Sequence, residues 1–277
     1  MSLSFDAIAS QFDDQRGLPA AALRELVAFF RRLGDGSPLS IIEPGIGTGR
    51  VALPLAMAGH HVTGVDISRP MLDACATKAD ALRVRDRVEL HDGDATALPF
   101  GDHPFDAGVV ASLLYLVPEW WRVLDELNRV VRPGGTVVIV RERTEQGPHL
   151  RAWDAAWRGR VEATGFRHQP LTPTDEDVVA AMEARWGVTG VHQLVSWTFG
   201  QTVAEARRDY GARLRPLYPS LDDATWERTV TSFLDWTDTS MGDPGVTLLE
   251  GVVYLELVTS VVRPIRTEPD RPASCHR

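Results

Sequence analysis

The stretch Glu43-Pro44-Gly45-Ile46-Gly47-Thr48-Gly49 decides how this chain is read. Before it, residues 38–43 (Pro-Leu-Ser-Ile-Ile-Glu) form a short apolar run that predicts a buried strand. After it, a helical pattern runs from Thr48 to Met57, with Pro54 expected to bend it. Glycines at alternate positions remove Cβ atoms where the chain turns sharply, so a ligand can approach the backbone. The next apolar segment, residues 61–66, predicts a second strand ending in Asp66, twenty-one residues after Gly45. In an open parallel sheet such a loop lies at the carboxyl ends of the strands, beside the switch point where ligands bind. A carboxylate at the Asp66 position can accept both hydroxyls of a ribose.

Working outward, strand and helix patterns alternate. Ser68 caps a helix carrying Pro70 in its first turn. Residues 88–90 predict a third strand leading to Asp92-Gly93-Asp94, and residues 106–113 a fourth. A helix over 119–131 stops at Arg132-Pro133-Gly134-Gly135, and a fifth strand follows from Thr136 to Val140. This alternation with short loops predicts βαβ crossovers and a parallel sheet covered on both faces. The second half differs. Helices are expected at 148–163, 174–186, about 202–215 and 222–238, the last capped by Ser220. Val191 to Phe199 and Gly251 to Val262 read as strands. Six of the eight tryptophans lie between Trp153 and Trp236, either as helix-packing residues or as an aromatic lid over a pocket.

Composition bounds the partners. The chain has 277 residues, 29 basic and 38 acidic, for a net charge of −9, the wrong sign for binding a phosphate backbone. Arg83, Arg85 and Arg87 read as a solvated helix end. His60 and His61, adjacent at a strand opening, point to opposite faces and read as surface residues. Cys75 and Cys275 offer no disulfide framework and no Cys-rich zinc site, and no metal is expected. No run approaches 18 apolar residues and the first residues lack a basic and apolar leader, so the expectation is a cytoplasmic protein without a membrane span.

Two readings of the glycine loop compete. A dinucleotide fingerprint requires G-x-G-x-x-G, but counting from Gly45 the final position is Arg50. The spacing is instead G-x-G-x-G with an acid two residues before it, which repels a pyrophosphate and attracts a cation. A sulfonium-bearing amino acid is such a ligand. Asp94, after the third strand, can accept from an adenine amino group.

The order E-x-G-x-G-x-G, Val65-Asp66-Ile67-Ser68, Asp92-Gly93-Asp94-Ala95 with Leu98-Pro99-Phe100, Phe105-Asp106, and Leu127 to Gly135 resembles the class I S-adenosylmethionine-dependent methyltransferases over about residues 38–143. The resemblance implies a doubly wound, mainly parallel seven-stranded α/β sheet of Rossmann-like kind, its last strand (Gly251 to Val262) antiparallel, with a helical substrate cap. It also implies S-adenosylmethionine as cofactor. Gly45, Gly47, Thr48 and Gly49 would line the methionine moiety, with Glu43 near its ammonium or sulfonium. Asp66 would hold the ribose, Ile67 and Met71 would sandwich the adenine, and Asp94 and Ala95 would read its amino edge. Ser112 would add backbone contacts at the amino-acid end. Plainer readings make Met71 a helix core residue and Ser112 a turn residue.

The implied organisation is an N-terminal segment over the cofactor (1–37, including Phe5, Phe12 and Arg16), a cofactor-binding core (38–143), cap helices with the last two strands (144–262) and a tail (263–277). Ala111-Ser112-Leu113-Leu114-Tyr115 after the fourth strand disfavours methylation of planar amines, and the absence of a Pro-Cys pair disfavours cytosine chemistry. The expected reaction is methyl transfer to oxygen, nitrogen or carbon of a small apolar or aromatic molecule. Tyr115, Glu142, Arg143 and His149 are the base candidates, with His168 and His192 behind them. A NAD-dependent oxidoreductase on a related sheet, and a cofactor-binding protein doing other chemistry, are the alternatives. A homodimer is one expectation for its assembly.

Overall fold

A computed structural model describes residues 17–166, 173–187, 189–211 and 222–263. The elements are α1 (Ala20–Leu33), β1 (Ser40–Pro44), α2 (Ala52–Met57), β2 (His61–Asp66), α3 (Arg69–Ala81), β3 (Val88–Asp92), β4 (Phe105–Ala111), α4 (Trp120–Val130), β5 (Val131–Gln146), α5 (Pro148–Ala163), α6 (Asp175–Trp186), β6 (Thr189–Thr202), α7 (Val203–Gly211), α8 (Asp223–Ser240) and β7 (Leu248–Val261). The seven strands form one sheet in the order β3-β2-β1-β4-β5-β7-β6.

The first five strands run parallel, with Ser40 opposite His61, Val62 opposite Val88 and Ala107 opposite Thr136. β7 runs the other way. Gly147 donates to the carbonyl of Glu250, and Val262 to that of Gly135, so residue numbers fall on one strand as they rise on the other. Between β1 and β4, adjacent in space but not in sequence, lies the switch point of the sheet. The mainly parallel Rossmann-like sheet expected from the sequence is the observed one, with the antiparallel strand where it was expected.

Several local expectations change. α2 begins at Ala52, not Thr48, because residues 45–51 form the turning loop. Pro54 then falls in the first helical turn, where its missing N–H needs no partner, and introduces no bend. β5 spans sixteen residues instead of five. Its pairing with β4 jumps from Phe105–Val131 to Ala107–Thr136, so Arg132 to Gly135 bulges without ending the strand. Asp222, not Ser220, caps α8, its carboxylate accepting from the Thr225 N–H at 2.8 Å. Ser220 and the last part of the 202–215 helix lie outside the described residues, as do Phe5, Phe12, Arg16, His168 and the tail beyond Arg263. His60 is buried, not at the surface. Its Nδ1 accepts from the Leu39 N–H at 3.1 Å, and its ring packs edge-on against Phe30. His61 is exposed, and so are Arg83, Arg85 and Arg87.

The chain divides into two compact units. One takes the described residues up to Val140, Pro173–His192 and the chain from Leu257. Its core joins Ile42, Val65, Val110, Leu124, Leu127 and Val137 with Val178, Met182 and Trp186 of α6. The α6 helix, read from sequence as one of the cap helices, thus packs in this unit's core. It starts with a capping box in which Thr174 and Asp177 satisfy each other's backbone N–H groups. The other unit takes the described residues of Arg141–Thr172 and Gln193–Glu256. Its core is aromatic, with Trp153 edge-on to Phe233 at 4.7 Å and Trp157 edge-on to Trp226 at 5.5 Å. These tryptophans are packing residues, as the plainer sequence reading has it. Among the described residues no helix is long and apolar enough to cross a membrane.

Candidate functional site

At the end of β1 the chain turns at Gly45, whose N–H donates to the carbonyl of Val65 on β2 at 2.7 Å. Gly45, Gly47 and Gly49 all have positive φ (+69°, +54° and +85°), which explains glycine at each. They differ in surroundings. A Cβ on Gly45 would lie 2.7 Å from the Leu113 side chain, and one on Gly49 2.8 Å from the Cys75 sulfur. Those two glycines admit the protein's own side chains. A Cβ on Gly47 would meet nothing described within 4 Å, so this is where the loop opens to a ligand. Thr48 beside it is buried.

Asp66 organises the loop. Its Oδ2 accepts from the Gly47 N–H at 2.8 Å and its Oδ1 from the Ser68 N–H at 2.9 Å. The carboxylate therefore ties the end of β2 to the glycine turn and to the start of α3. A carboxylate oxygen carries two acceptor sites, the capacity a ligand hydroxyl would use. Ser68 in turn caps α3, its hydroxyl accepting from the Met71 N–H at 3.4 Å.

Glu43 is the unusual group. Its side chain is buried, and Oε2 has no hydrogen-bond partner among the described residues. Burial pushes its carboxyl up to about 8, and the negative charge of Asp66 adds to the rise. The Arg50 charge and the Ala52 N–H act the opposite way. A buried carboxylate oxygen without a partner is costly unless a ligand completes it.

The other predicted residues fall as follows. Ser112, just past β4, has φ +54°, a left-handed conformation unusual for serine. Its hydroxyl accepts from Arg50 Nη2 at 2.9 Å. Asp94 is exposed, its Oδ1 accepting from the N–H and hydroxyl of Thr96, both at 2.8 Å; Ala95 beside it is buried. Ile67 is 50% exposed, whereas Met71 is buried in α3. Of that proposed pair, only Ile67 offers an apolar surface to solvent. Tyr115 lies in a short helical turn, Leu114–Leu116, after β4. Glu142, Arg143 and His149 belong to the second unit and are exposed. Arg143 pairs with Glu256 at 3.1 Å and lies 4.2 Å over the Tyr254 ring. His192, in the first unit, bonds to the Thr259 hydroxyl at 3.1 Å.

The first unit thus brings together Glu43, the glycine loop, Asp66, Arg50 and Ser112. Sequence reasoning weighed Arg50 only as a departure from the dinucleotide spacing and missed its bond to Ser112. Its place directly after the last glycine was the available signal. The collection holds a buried acid, an open glycine turn and a hydroxyl-accepting carboxylate. It suits a ligand with a cationic amino-acid end and a ribose.

Residues 42–139 match the family model described as "Methyltransferase domain". The chain is 36% identical over 153 residues to a demethylmenaquinone methyltransferase of Clavibacter sepedonicus, the match covering 54% of this chain and 61% of that protein. It is 40% identical over 109 residues to a phosphatidylethanolamine N-methyltransferase of Cereibacter sphaeroides, covering 39% of this chain and 53% of that protein. The chain therefore spans between half and two thirds of the length of these relatives. Among solved structures, the YcgJ protein of Bacillus subtilis superposes with a TM-score of 0.57 at 16% identity, over 87% of this chain and 99% of that one.

Proposed function

We propose that this chain, whose residues 42–139 match the family model described as "Methyltransferase domain", is a class I S-adenosylmethionine-dependent methyltransferase whose site transfers a methyl group from S-adenosylmethionine to a small organic acceptor. The observation that carries this is the buried Glu43 carboxyl, one oxygen unpartnered among the described residues, at the mouth of a glycine turn open at Gly47. When bound, S-adenosylmethionine supplies a methyl group already activated on a sulfonium, so the protein's task is positioning and desolvation. Glu43 would accept from the ammonium and Asp66 from the ribose hydroxyls, while Ile67 would cover the base and Asp94 read its edge. Met71 is left as packing beneath them.

For the acceptor we infer an apolar or aromatic small molecule. The support is that two of the relatives are named for demethylmenaquinone and phosphatidylethanolamine. Trp153, Trp157 and Trp226 give no support, because they are consumed in the second unit's core. Of the four leading base candidates, Tyr115 is the one carried by the same unit as the glycine loop. The net charge of −9 argues against a nucleic-acid acceptor. A cytoplasmic location and a homodimer complete the reading as expectations.

Calorimetry with S-adenosylmethionine, S-adenosylhomocysteine and NAD tests the site. Binding of the first two and not the third is expected. Binding of NAD alone overturns the proposal. Incubating the protein and metabolite extract with methyl-deuterated cofactor should then label an acceptor.

A further inference from the structure

Arg50 stands outside every role assigned above, yet two features of the site run through it. The first is mechanical. Its guanidinium donates to the Ser112 hydroxyl at 2.9 Å, across 62 positions of sequence, joining the glycine loop to the end of β4. Ser112 adopts φ +54°, which for a non-glycine residue persists only where its surroundings impose it. The next residue, Leu113, fills the space that a Cβ on Gly45 would need. The turn after β1 and the turn after β4 are thus fastened at two adjacent points, one polar and one apolar. These turns flank the switch point of the sheet.

The second feature is electrostatic. Arg50 and Asp66 are the charged groups that act on Glu43. Arg50 is the positive member beside a buried acid that Asp66 would otherwise help to keep neutral. A cationic ligand is attracted by the carboxylate form and not by the carboxylic acid, so a fixed neighbouring cation bears on whether that form is reachable.

We propose that Arg50 is a positioning residue of the cofactor site: it latches the β4 turn to the glycine loop through Ser112 and, held there, keeps the Glu43 carboxylate accessible to a cationic ligand. The second half of this statement rests on the function proposed above. The latch itself does not.

The experiment uses the full chain without ligand, labelled with carbon-13 at the glutamate side-chain carboxyl. The Glu43 signal is assigned by its loss in Glu43→Gln. In the wild type it should titrate far above ordinary glutamates, at about 8. In Arg50→Met the midpoint should move up by about one unit, the usual scale for loss of a nearby opposite charge. Arg50→Lys should restore most of it. Ser112→Ala, which removes the hydroxyl bond but keeps the guanidinium, should move it in the same direction by less. Arg50→Gln replaces Arg50→Met if the latter does not fold. A general packing role would change melting temperature in these variants but leave the midpoint unmoved. An unchanged midpoint in Arg50→Met or Arg50→Gln overturns the inference. S-adenosylhomocysteine affinity followed against pH in the same proteins should show the same displacement. If the wild type binds none, the cofactor reading fails while the titration still decides the role of Arg50.

Discussion

Ligand binding at this site should release a proton, and the amount can be worked from Glu43. Its carboxyl is held at about 8 by burial, so near neutral pH the ligand-free protein carries it mostly protonated. An ammonium group placed against Oε2 requires the carboxylate. Each binding event should therefore expel nearly one proton at pH 6, falling to about three quarters of a proton at pH 7.5. For a midpoint of about 8 that stays ionised in the complex, apparent affinity rises roughly 25-fold over that interval, or about 1.9 kcal/mol. Over this range the ligand's own ammonium stays largely charged. The assay is calorimetric titration with S-adenosylhomocysteine in buffers of different ionisation enthalpy, from which the proton count follows directly. Glu43→Gln should bind weakly, with no pH slope and no proton release. A flat affinity profile in the wild type, or a proton count near zero, would refute the assignment of Glu43 to the cationic end of the ligand.

The same group predicts an inverse pH dependence of stability. In the unfolded chain Glu43 titrates near 4.5, whereas folded it holds its proton to about 8. Its favourable contribution is complete below pH 4.5 and is lost as pH rises to 8, so Glu43→Gln should gain in melting temperature over the wild type across that window. His60 works in the other direction. Burial, and then the nearby Arg31 charge, lower its pKa, and Nδ1 must stay unprotonated to accept from Leu39. Stability should fall as pH drops below about 6.5, and His60→Gln should lessen that fall in acid denaturation curves. Ser68→Ala should cost about 1 kcal/mol in denaturant unfolding through loss of the α3 cap, and Ser68→Asn should recover most of it.

Much of this protein is legible without coordinates, for local reasons. α5 and α6 lie within a residue of the expected 148–163 and 174–186, because Pro148 and Thr174 start them and Gly187 stops the second. The parallel sheet is legible because apolar runs and helical patterns alternate too tightly for hairpins. Gly47 and Asp66 were legible as a pair, since the loop and the end of the next strand meet in any such unit, and they do meet at 2.8 Å.

What tertiary structure alone decided are the properties that depend on distant chain. Nothing near Glu43 in sequence announces that its second oxygen lacks a partner among the described residues, since β1 is flanked by β2 and β4 only in the folded sheet. Nor does the sequence around Ser112 reveal its left-handed backbone, or that Arg50, 62 positions earlier, holds its hydroxyl. His60 reads as a surface histidine until α1 covers it. The tryptophans lean toward lid or core only once Trp153, Trp157 and Trp226 meet Phe233 and one another. Dihedral preference and periodicity belong to neighbouring residues and can be read along the chain. Desolvation and charge proximity belong to groups that only folding brings together, and those are the quantities on which the chemistry of this site depends.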